Sequence, residues 1–174
     1  MLPKIININF FIPLILAIYS FIINWFSGNI GVMPMDTFAF FDTGFSILKD
    51  KLPIRDFWIF TGLTVDYIQS LFFLLFGLSW KSYIFHASIF NIIGTLSFYY
   101  FLKTFNLSQF AIIVYSLSFA TLCYPVSGTP FAYLHSYIFS LISIFLFIHA
   151  TRQENNLSWF ILPFFFLLSF FSMQ

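Results

Sequence analysis

The sequence SYIFHASIFNIIGTLSFYYFL at residues 82–102 decides the fold of this chain. It contains no Asp, Glu, Lys or Arg, and a helix over it is about 30 Å long because each residue adds about 1.5 Å. The hydrocarbon core of a bilayer has the same thickness, and a helix can cross it because it satisfies its own backbone hydrogen bonds. Residues 82–102 are therefore predicted to form a transmembrane helix.

The composition of the whole chain indicates the same environment. Of its 174 residues, 60% are hydrophobic and 7% are charged, and Phe alone occupies 30 positions. A soluble domain carries about 25% charged residues, because it needs a solvated surface, so a soluble domain is excluded. No basic run is present to neutralise phosphates, so no nucleic-acid partner is expected. Cys123 is the single cysteine, so no disulfide forms within the chain.

Further apolar stretches predict about five spanning helices and one long external loop. The predicted spans are residues 8–26, 82–102, 107–124, 133–150 and 157–172, and the loop is residues 27–81. The predicted fold class is an all-α integral membrane protein with amphipathic juxtamembrane helices in that loop. Residues 164–171 are apolar except for Ser169, so we expect residues 1–174 to be the N-terminal part of one larger polytopic domain.

Residues 67–78 are apolar but too short to span, and the charges indicate where they lie. If they lie on the membrane surface, the loops that carry Lys103 and Arg152 share a side with Lys4, which the positive-inside rule makes cytoplasmic. If they span, Lys103 and Arg152 both fall on the side of the membrane opposite Lys4. The surface helix is more consistent, and it puts five of the six acidic residues outside: Asp36, Asp42, Asp50, Asp56 and Asp66. The prediction is a cytoplasmic N-terminus in a bacterial inner membrane.

The external loop holds most of the reactive side chains. Apolar residues at helical spacing in residues 36–48 predict an amphipathic surface helix. Asp36 falls at its start, where a carboxylate could simply cap the helix. Asp42 lies about 240° around the helix from Asp36, so these two carboxylates do not form an acid–base pair.

The segment PIRDFW at residues 53–58 predicts a rigid turn that presents two charges and two aromatic rings. In one interpretation Arg55 holds an anionic headgroup while Trp58 stacks on a sugar or lipid face. In the other, the segment is an interfacial anchor in which Arg55 pairs locally with Asp56 or Asp50.

The three histidines have different surroundings in the sequence. His135 begins a predicted span on the side of the acidic loop, where it could bind a substrate phosphate or cap neighbouring backbone. His86 is predicted to be a satisfied core histidine, and His149 lies near the cytoplasmic end of its helix. There is no P-loop, HExxH motif or Cys/His cluster. No metal site is therefore predicted; the cofactor stays unknown, with a divalent cation left open.

The order of motifs in the first loop resembles a known family. Met35-Asp36 follows the first helix, then come ILKDKLPIRDFW at residues 47–58, Thr61-Gly62, and a helix from Asp66-Tyr67 to Phe76-Gly77. This order resembles the N-terminal part of the GT-C superfamily of membrane glycosyltransferases, in particular its protein-mannosyltransferase-like group. The resemblance implies that the chain is a fragment of a GT-C fold and that residues 67–78 lie on the membrane surface.

The resemblance also implies transfer of a sugar from a polyprenyl-phosphate donor to a lipid, glycan or protein acceptor at the outer face. Asp36 is then the catalytic base for the acceptor hydroxyl, although family members often have Asp-Glu where this chain has Asp36-Thr37. Arg55 and His135 hold the leaving phosphate, and the donor's lipid tail lies among the Phe-rich helices. The remaining candidates for substrate binding are Asp42, Asp56 and Trp58.

The same helices also fit a non-catalytic membrane protein, such as a carrier of lipid-linked glycans, a flippase-like protein or a polymerase subunit. Such a protein needs no base at Asp36. A transporter should show broken helices or polar residues at the membrane midplane, and the predicted spans show neither.

Overall fold

A computed structural model of the chain describes residues 8–31, 37–59 and 61–173, and this part of the chain is all-helical. The predicted all-α class is thereby confirmed. The seven α-helices are α1 (Ile8–Ile30), α2 (Ala39–Leu48), α3 (Thr64–Phe76), α4 (Trp80–Leu102), α5 (Gln109–Leu122), α6 (Ala132–Gln153) and α7 (Asn156–Phe170), with a 3₁₀ turn at Tyr124–Val126 between α5 and α6.

Four of these helices are long and apolar enough to span a membrane. They are α1, α4, α5 together with the 3₁₀ turn, and α6. The fifth predicted span, residues 157–172, corresponds to α7, which has 15 residues. At about 1.5 Å per residue it is about 22 Å long, so its length alone does not make it a span. The four candidate spans are compatible with an integral membrane protein.

Short polar residues define where several helices begin. The Ser79 side chain accepts a hydrogen bond from the backbone N–H of Ser82, so α4 begins two residues before the predicted span. Ser108 and Asn155 cap α5 and α7 in the same way. Such side chains satisfy N–H groups that have no partner within the first turn of a helix. At the other end of α3, Gly77 adopts φ +81°, which glycine accepts without strain, and terminates the helix.

Hydrogen bonds show that the long helices α1 and α4 run in opposite directions. Asn24 of α1 donates a hydrogen bond to Ser88 of α4, and Asn91 of α4 donates to the Ser20 carbonyl of α1. One end of the bundle contains the end of α1, the start of α4, the 3₁₀ turn and the start of α6. We call it the acidic end, because the loop that carries most of the acidic residues, with α2 and α3, also lies there. The opposite end, with Lys103 and Arg152, is the basic end.

Helix α3 lies across the acidic end. Its first residue, Thr64, donates a backbone hydrogen bond to the carbonyl of Phe171 just after α7, at 3.1 Å. Near its other end, the Phe72 carbonyl accepts a hydrogen bond from the Ser82 hydroxyl in the first turn of α4. Both contacts are at the same end of the bundle, so α3 does not run through it. That residues 67–78 lie on a membrane surface stays a prediction.

The faces of α3 are reversed relative to a helix on a soluble protein. Its inward face is partly polar, and its exposed face is apolar. The buried polar residues are Thr64, Asp66, Gln69 and Ser70, and the exposed apolar ones are Tyr67, Leu71, Leu74, Leu75 and Phe76. A helix with this pattern is suited to contact with lipid rather than with water.

Helix α2 packs closely against α3. A Cβ atom on Gly44 would lie 2.8 Å from the Gln69 side chain, so the two helices approach closely at this glycine. The helix begins at Ala39, later than the predicted residues 36–48. Its fully buried face contains Phe40 and Thr43, whereas Phe38, expected on the buried side by spacing, is 52% exposed.

Candidate functional site

The acidic end contains most of the residues that the sequence marks as candidates. The proposed catalytic residue, Asp36, lies outside the described residues. Thr37 follows it in the sequence and is almost completely buried, and its carbonyl accepts a hydrogen bond of 2.6 Å from the hydroxyl of Tyr83. Tyr83 is itself fully buried in the first turns of α4. The chain is therefore anchored to α4 at the residue after Asp36.

A buried carboxyl group joins α2 and α3. Asp66 is 2% exposed, and one of its carboxyl oxygens is hydrogen-bonded to the Thr43 hydroxyl. That hydroxyl also lies 2.9 Å from the Ala39 carbonyl oxygen. The Thr43 hydroxyl donates to Asp66, and because it has one proton it shares that proton with the Ala39 carbonyl. Burial raises the pKa of Asp66 to about 6, while the Thr43 hydrogen bond opposes the rise.

A row of buried polar side chains connects α3, α4, α6 and the 3₁₀ turn. Nδ1 of His86 is 2.7 Å from the side-chain amide oxygen of Gln69, and its Nε2 is 2.9 Å from Nε2 of His135. Nδ1 of His135 is 2.7 Å from the Tyr124 hydroxyl and 3.0 Å from the Phe131 carbonyl oxygen. Gln69, His86, His135 and Tyr124 are all completely buried.

The Tyr124 hydroxyl can set the protonation pattern of this row, because each neutral histidine ring carries one N–H and one acceptor nitrogen. When the hydroxyl donates to Nδ1 of His135, Nε2–H of His135 donates to Nε2 of His86. Nδ1–H of His86 then donates to the amide oxygen of Gln69. The amide nitrogen of Gln69 is buried with no hydrogen-bond partner among the described residues.

The site residues predicted in the loop between α2 and α3 lie on the surface. Arg55 donates two hydrogen bonds to the carboxylate of Asp56, at 2.8 and 2.7 Å. The Leu52 backbone N–H donates another to Asp56 at 2.8 Å, and these contacts, Arg55 first, lower the pKa of Asp56 to about 2. This is the local ion pair of the interfacial-anchor interpretation. Trp58 is 81% exposed, and Asp42 is also exposed.

Candidate site residues that the sequence groups together lie in two places: the histidines are buried, and Arg55, Trp58 and Asp42 are on the surface. His135 is buried, with protein partners for both ring nitrogens, and one of them is the Phe131 carbonyl, as in the backbone-capping interpretation. His86 has partners on both nitrogens too, as predicted. Among the described residues, no hydrogen bond joins Arg55, Trp58 or Asp42 to this buried row. Nor does the described part of the chain bring together three or more metal-binding acidic, His or Cys side chains.

A groove opens between α6 and α7 at the acidic end. Its volume is about 330 Å³, and it is lined by Ser136, Phe166, Ser169, Phe170 and Met173. The Ser169 hydroxyl lies 2.6 Å from the hydroxyl of Ser140 and 3.1 Å from that of Ser136. These hydroxyl groups satisfy one another, and the other lining residues are apolar. The groove is therefore suited to a hydrocarbon chain.

Several residues of this end were not predicted from the sequence. The sequence predicts Asp66 only as an external carboxylate, places Tyr124 at the end of a span, and assigns no role to Gln69. Polar residues three positions apart lie on one face of a helix, so Asp66 and Gln69 could have been recognised as a buried face of α3. Their partners are 17 or more positions away, and spacing along the chain does not reveal them.

The fold and this site define an all-helical chain with four helices able to span a membrane and a buried polar row at one end. Comparison with protein-family models, with curated proteins and with solved structures finds no match to this chain.

Proposed function

We propose that the chain is part of a membrane glycosyltransferase that moves a sugar from a polyprenyl-phosphate donor to a lipid, glycan or protein acceptor. The transfer takes place at the acidic end, on the extracytoplasmic face of a bacterial inner membrane. The N-terminus and the basic end are then cytoplasmic, and α7 is a fifth, shorter span. The proposal starts from the resemblance of residues 35–77 to the GT-C superfamily.

The observation that carries the proposal is the anchoring of the chain next to Asp36. A general base needs a fixed position, because it must lie within hydrogen-bond reach of the proton that it removes. The hydrogen bond from Tyr83 to the Thr37 carbonyl holds the adjoining residue against α4. Helix α3 also lies across this end, as the resemblance to the GT-C superfamily implies for residues 67–78.

The groove between α6 and α7 supports a lipid-linked donor. Its apolar lining of Phe166, Phe170 and Met173 lies beside the acidic end, because the residue after α7 contacts Thr64 there. A polyprenyl chain in this groove would place its phosphate near the membrane surface, at the level of α3.

The proposed reaction is a single displacement at the anomeric carbon. The acceptor hydroxyl oxygen attacks that carbon while its proton passes to the Asp36 carboxylate. The bond from the anomeric carbon to the phosphate oxygen breaks, and polyprenyl phosphate leaves with the electron pair. Arg55 is an exposed cation of this loop that stabilises the leaving phosphate, and to do so it must exchange Asp56 for the donor phosphate.

The alternative, a non-catalytic protein that carries lipid-linked glycans, is favoured by two observations. Arg55 is already neutralised by Asp56, and His135 is buried beneath the surface. Neither side chain is free to contact a phosphate without rearrangement. The groove would serve such a carrier equally well.

The test is sugar transfer by the full-length protein in native membranes supplied with radiolabelled polyprenyl-phosphate sugars. Asp36→Asn should lower the transfer rate by about 100-fold or more, the usual contribution of a general base. The matched control is Asp50→Asn, which removes another loop carboxylate at a left-handed position (φ 60°) that Asn tolerates. Transfer at the wild-type rate by Asp36→Asn would exclude the catalytic role, and labelled donor bound without transfer would favour the carrier.

A further inference from the structure

A second groove lies at the basic end, between the last turns of α4 and α6. Its volume is about 360 Å³. Three basic residues line it: Lys103, His149 and Arg152. The other lining residues are Tyr100, Thr104, Phe145, Ile148 and Gln153. No acidic side chain is among them, so the groove carries net positive charge.

The two permanent cations of this groove have no carboxylate partner in the part of the chain that the structure describes, where the ion pair is Arg55 with Asp56. Lys103 holds its ammonium group 5.5 Å from the centre of the Tyr99 ring. Arg152 donates one N–H to the Thr104 carbonyl at 2.6 Å, which fixes the guanidinium beside the groove and leaves its other N–H groups available. Nδ1 of His149 is 3.0 Å from the Ser158 hydroxyl, so Nε2 is the nitrogen left for a ligand.

The groove has a charged part and an apolar part. Arg152 and Lys103 lie at the helix ends and are exposed, whereas Phe145 and Ile148 lie one to two turns further into the bundle. In a bilayer the helix ends reach the headgroup layer, and the deeper turns lie among the acyl chains. A ligand that fills both parts is an amphiphile with an anionic head.

We propose that this groove binds an anionic phospholipid, with its phosphodiester between Lys103 and Arg152. The free N–H groups of Arg152 donate to two phosphate oxygens, a geometry that guanidinium groups favour. The first part of an acyl chain lies on Phe145 and Ile148. Basic pockets between transmembrane helices are suited to such headgroups, and each cation near an anionic lipid surface contributes about fivefold in affinity. The proposal is independent of sugar transfer at the other end.

The test is native mass spectrometry of the purified full chain, titrated in detergent with phosphatidylglycerol or with the zwitterionic phosphatidylcholine. The wild-type protein should retain phosphatidylglycerol about 25-fold more tightly, if the fivefold contributions of the two cations multiply. Lys103→Gln with Arg152→Gln should remove that preference. Arg152→Lys keeps the charge and should stay within about threefold of wild type. Thermal melting of each variant checks that it folds.

The control removes the same charge from the opposite end of the bundle. Lys49 and Lys51 are exposed in the loop after α2, so Lys49→Gln with Lys51→Gln should leave the lipid preference unchanged. An equal loss in both double variants would mean that net charge alone attracts the lipid, and would overturn the site. Displacement of the lipid by millimolar inorganic phosphate would overturn the choice of a lipid and assign the groove to free phosphate.

Discussion

His86 of α4 and His135 of α6 meet at the centre of the acidic end, with their Nε2 atoms 2.9 Å apart and both rings fully buried. Because Gln69 and Tyr124 hold the outer nitrogens, this contact links the surface helix, two spanning helices and the 3₁₀ turn in one hydrogen-bonded row. Each ring also packs edge-on or tilted against Phe90. The row acts as one structural unit, because each proton position determines the next.

This coupling can be measured with a double-mutant cycle. His86→Ala and His135→Ala should each lower the free energy of unfolding by about 1–3 kcal/mol, because each leaves a buried polar partner unsatisfied. The double variant should lose about 1 kcal/mol less free energy of unfolding than the two single variants lose together. The reason is that the second substitution removes a group that has already lost its partner. Denaturant unfolding in detergent gives both quantities.

A matched control for the cycle is available at the basic end. His149 bonds to Ser158 and not to the buried row, so His149→Ala combined with either variant should be additive. Additivity of His86→Ala with His135→Ala would contradict the shared hydrogen bond.

Asp66 should make the stability of the protein depend on pH. Its pKa is about 6 in the folded protein, against 3.8 for an aspartate side chain without a folded environment, so the folded protein binds the proton more tightly. Stability is then highest below about pH 4 and decreases as the pH rises through 6, by on the order of 2 kcal/mol. Asp66→Asn should remove this dependence, because the amide cannot ionise.

Melting temperatures in detergent between pH 4.5 and 8 provide the measurement. Asp66→Asn should raise the melting temperature at pH 8 and change it little at pH 4.5. Asp42→Asn, which changes an exposed carboxylate on α2, is the control and should follow the wild-type curve. A raised pKa of Asp66 would be contradicted if both the wild-type protein and Asp66→Asn melted at a higher temperature at pH 8 than at pH 4.5.

The close contact of α1 with the loop before α6 gives a packing prediction. A Cβ atom on Gly28 would lie 2.7 Å from the Gly128 carbonyl oxygen and 2.8 Å from Ile84, whereas one on Gly31 would meet nothing within 4 Å. Gly28→Ala should therefore lower the free energy of unfolding by about 1–3 kcal/mol through overpacking. Gly31→Ala should change it by less than about 0.5 kcal/mol. Equal effects of the two substitutions would show that the contact is not close.

The side of the membrane on which each end lies can be measured by cysteine labelling in intact cells. In a Cys123→Ser background, Lys51→Cys and Val126→Cys are at the acidic end and exposed, and Asn106→Cys is exposed at the basic end. An impermeant maleimide should label the first two and not the third if the acidic end is outside. Labelling at 51 and 106 without 126 would require α3 to cross the bilayer, which its contacts with Phe171 and Ser82 contradict.

Much of the fold follows from the sequence, because a spanning helix is a local property of length and apolarity. The segment 82–102 and the short helix at 67–78 needed no knowledge of partners. Residues 157–172 depend on more than apolarity: the helix begins after the cap at Asn155 and ends at Phe170, so it has 15 residues, and its crossing of the membrane stays a prediction.

The candidate site was less predictable, because it depends on contacts between distant residues. The exposed pair Arg55–Asp56 is local in the sequence and was foreseen as one alternative. The contacts of Asp66 with Thr43, and of His86 with His135, join residues that are 23 and 49 positions apart. Only the relative positions of the packed helices bring them together.

The reversed faces of α3 have a consequence for access to the groups beneath it. Lifting this helix into water would expose its apolar outer face and would separate the polar side chains of its inner face from their partners. Such a helix is poorly suited to be a cover that opens toward water. If its apolar outer face contacts lipid, a molecule reaches Asp66 or Gln69 through the surrounding lipid, and its membrane solubility then matters more than its concentration in water.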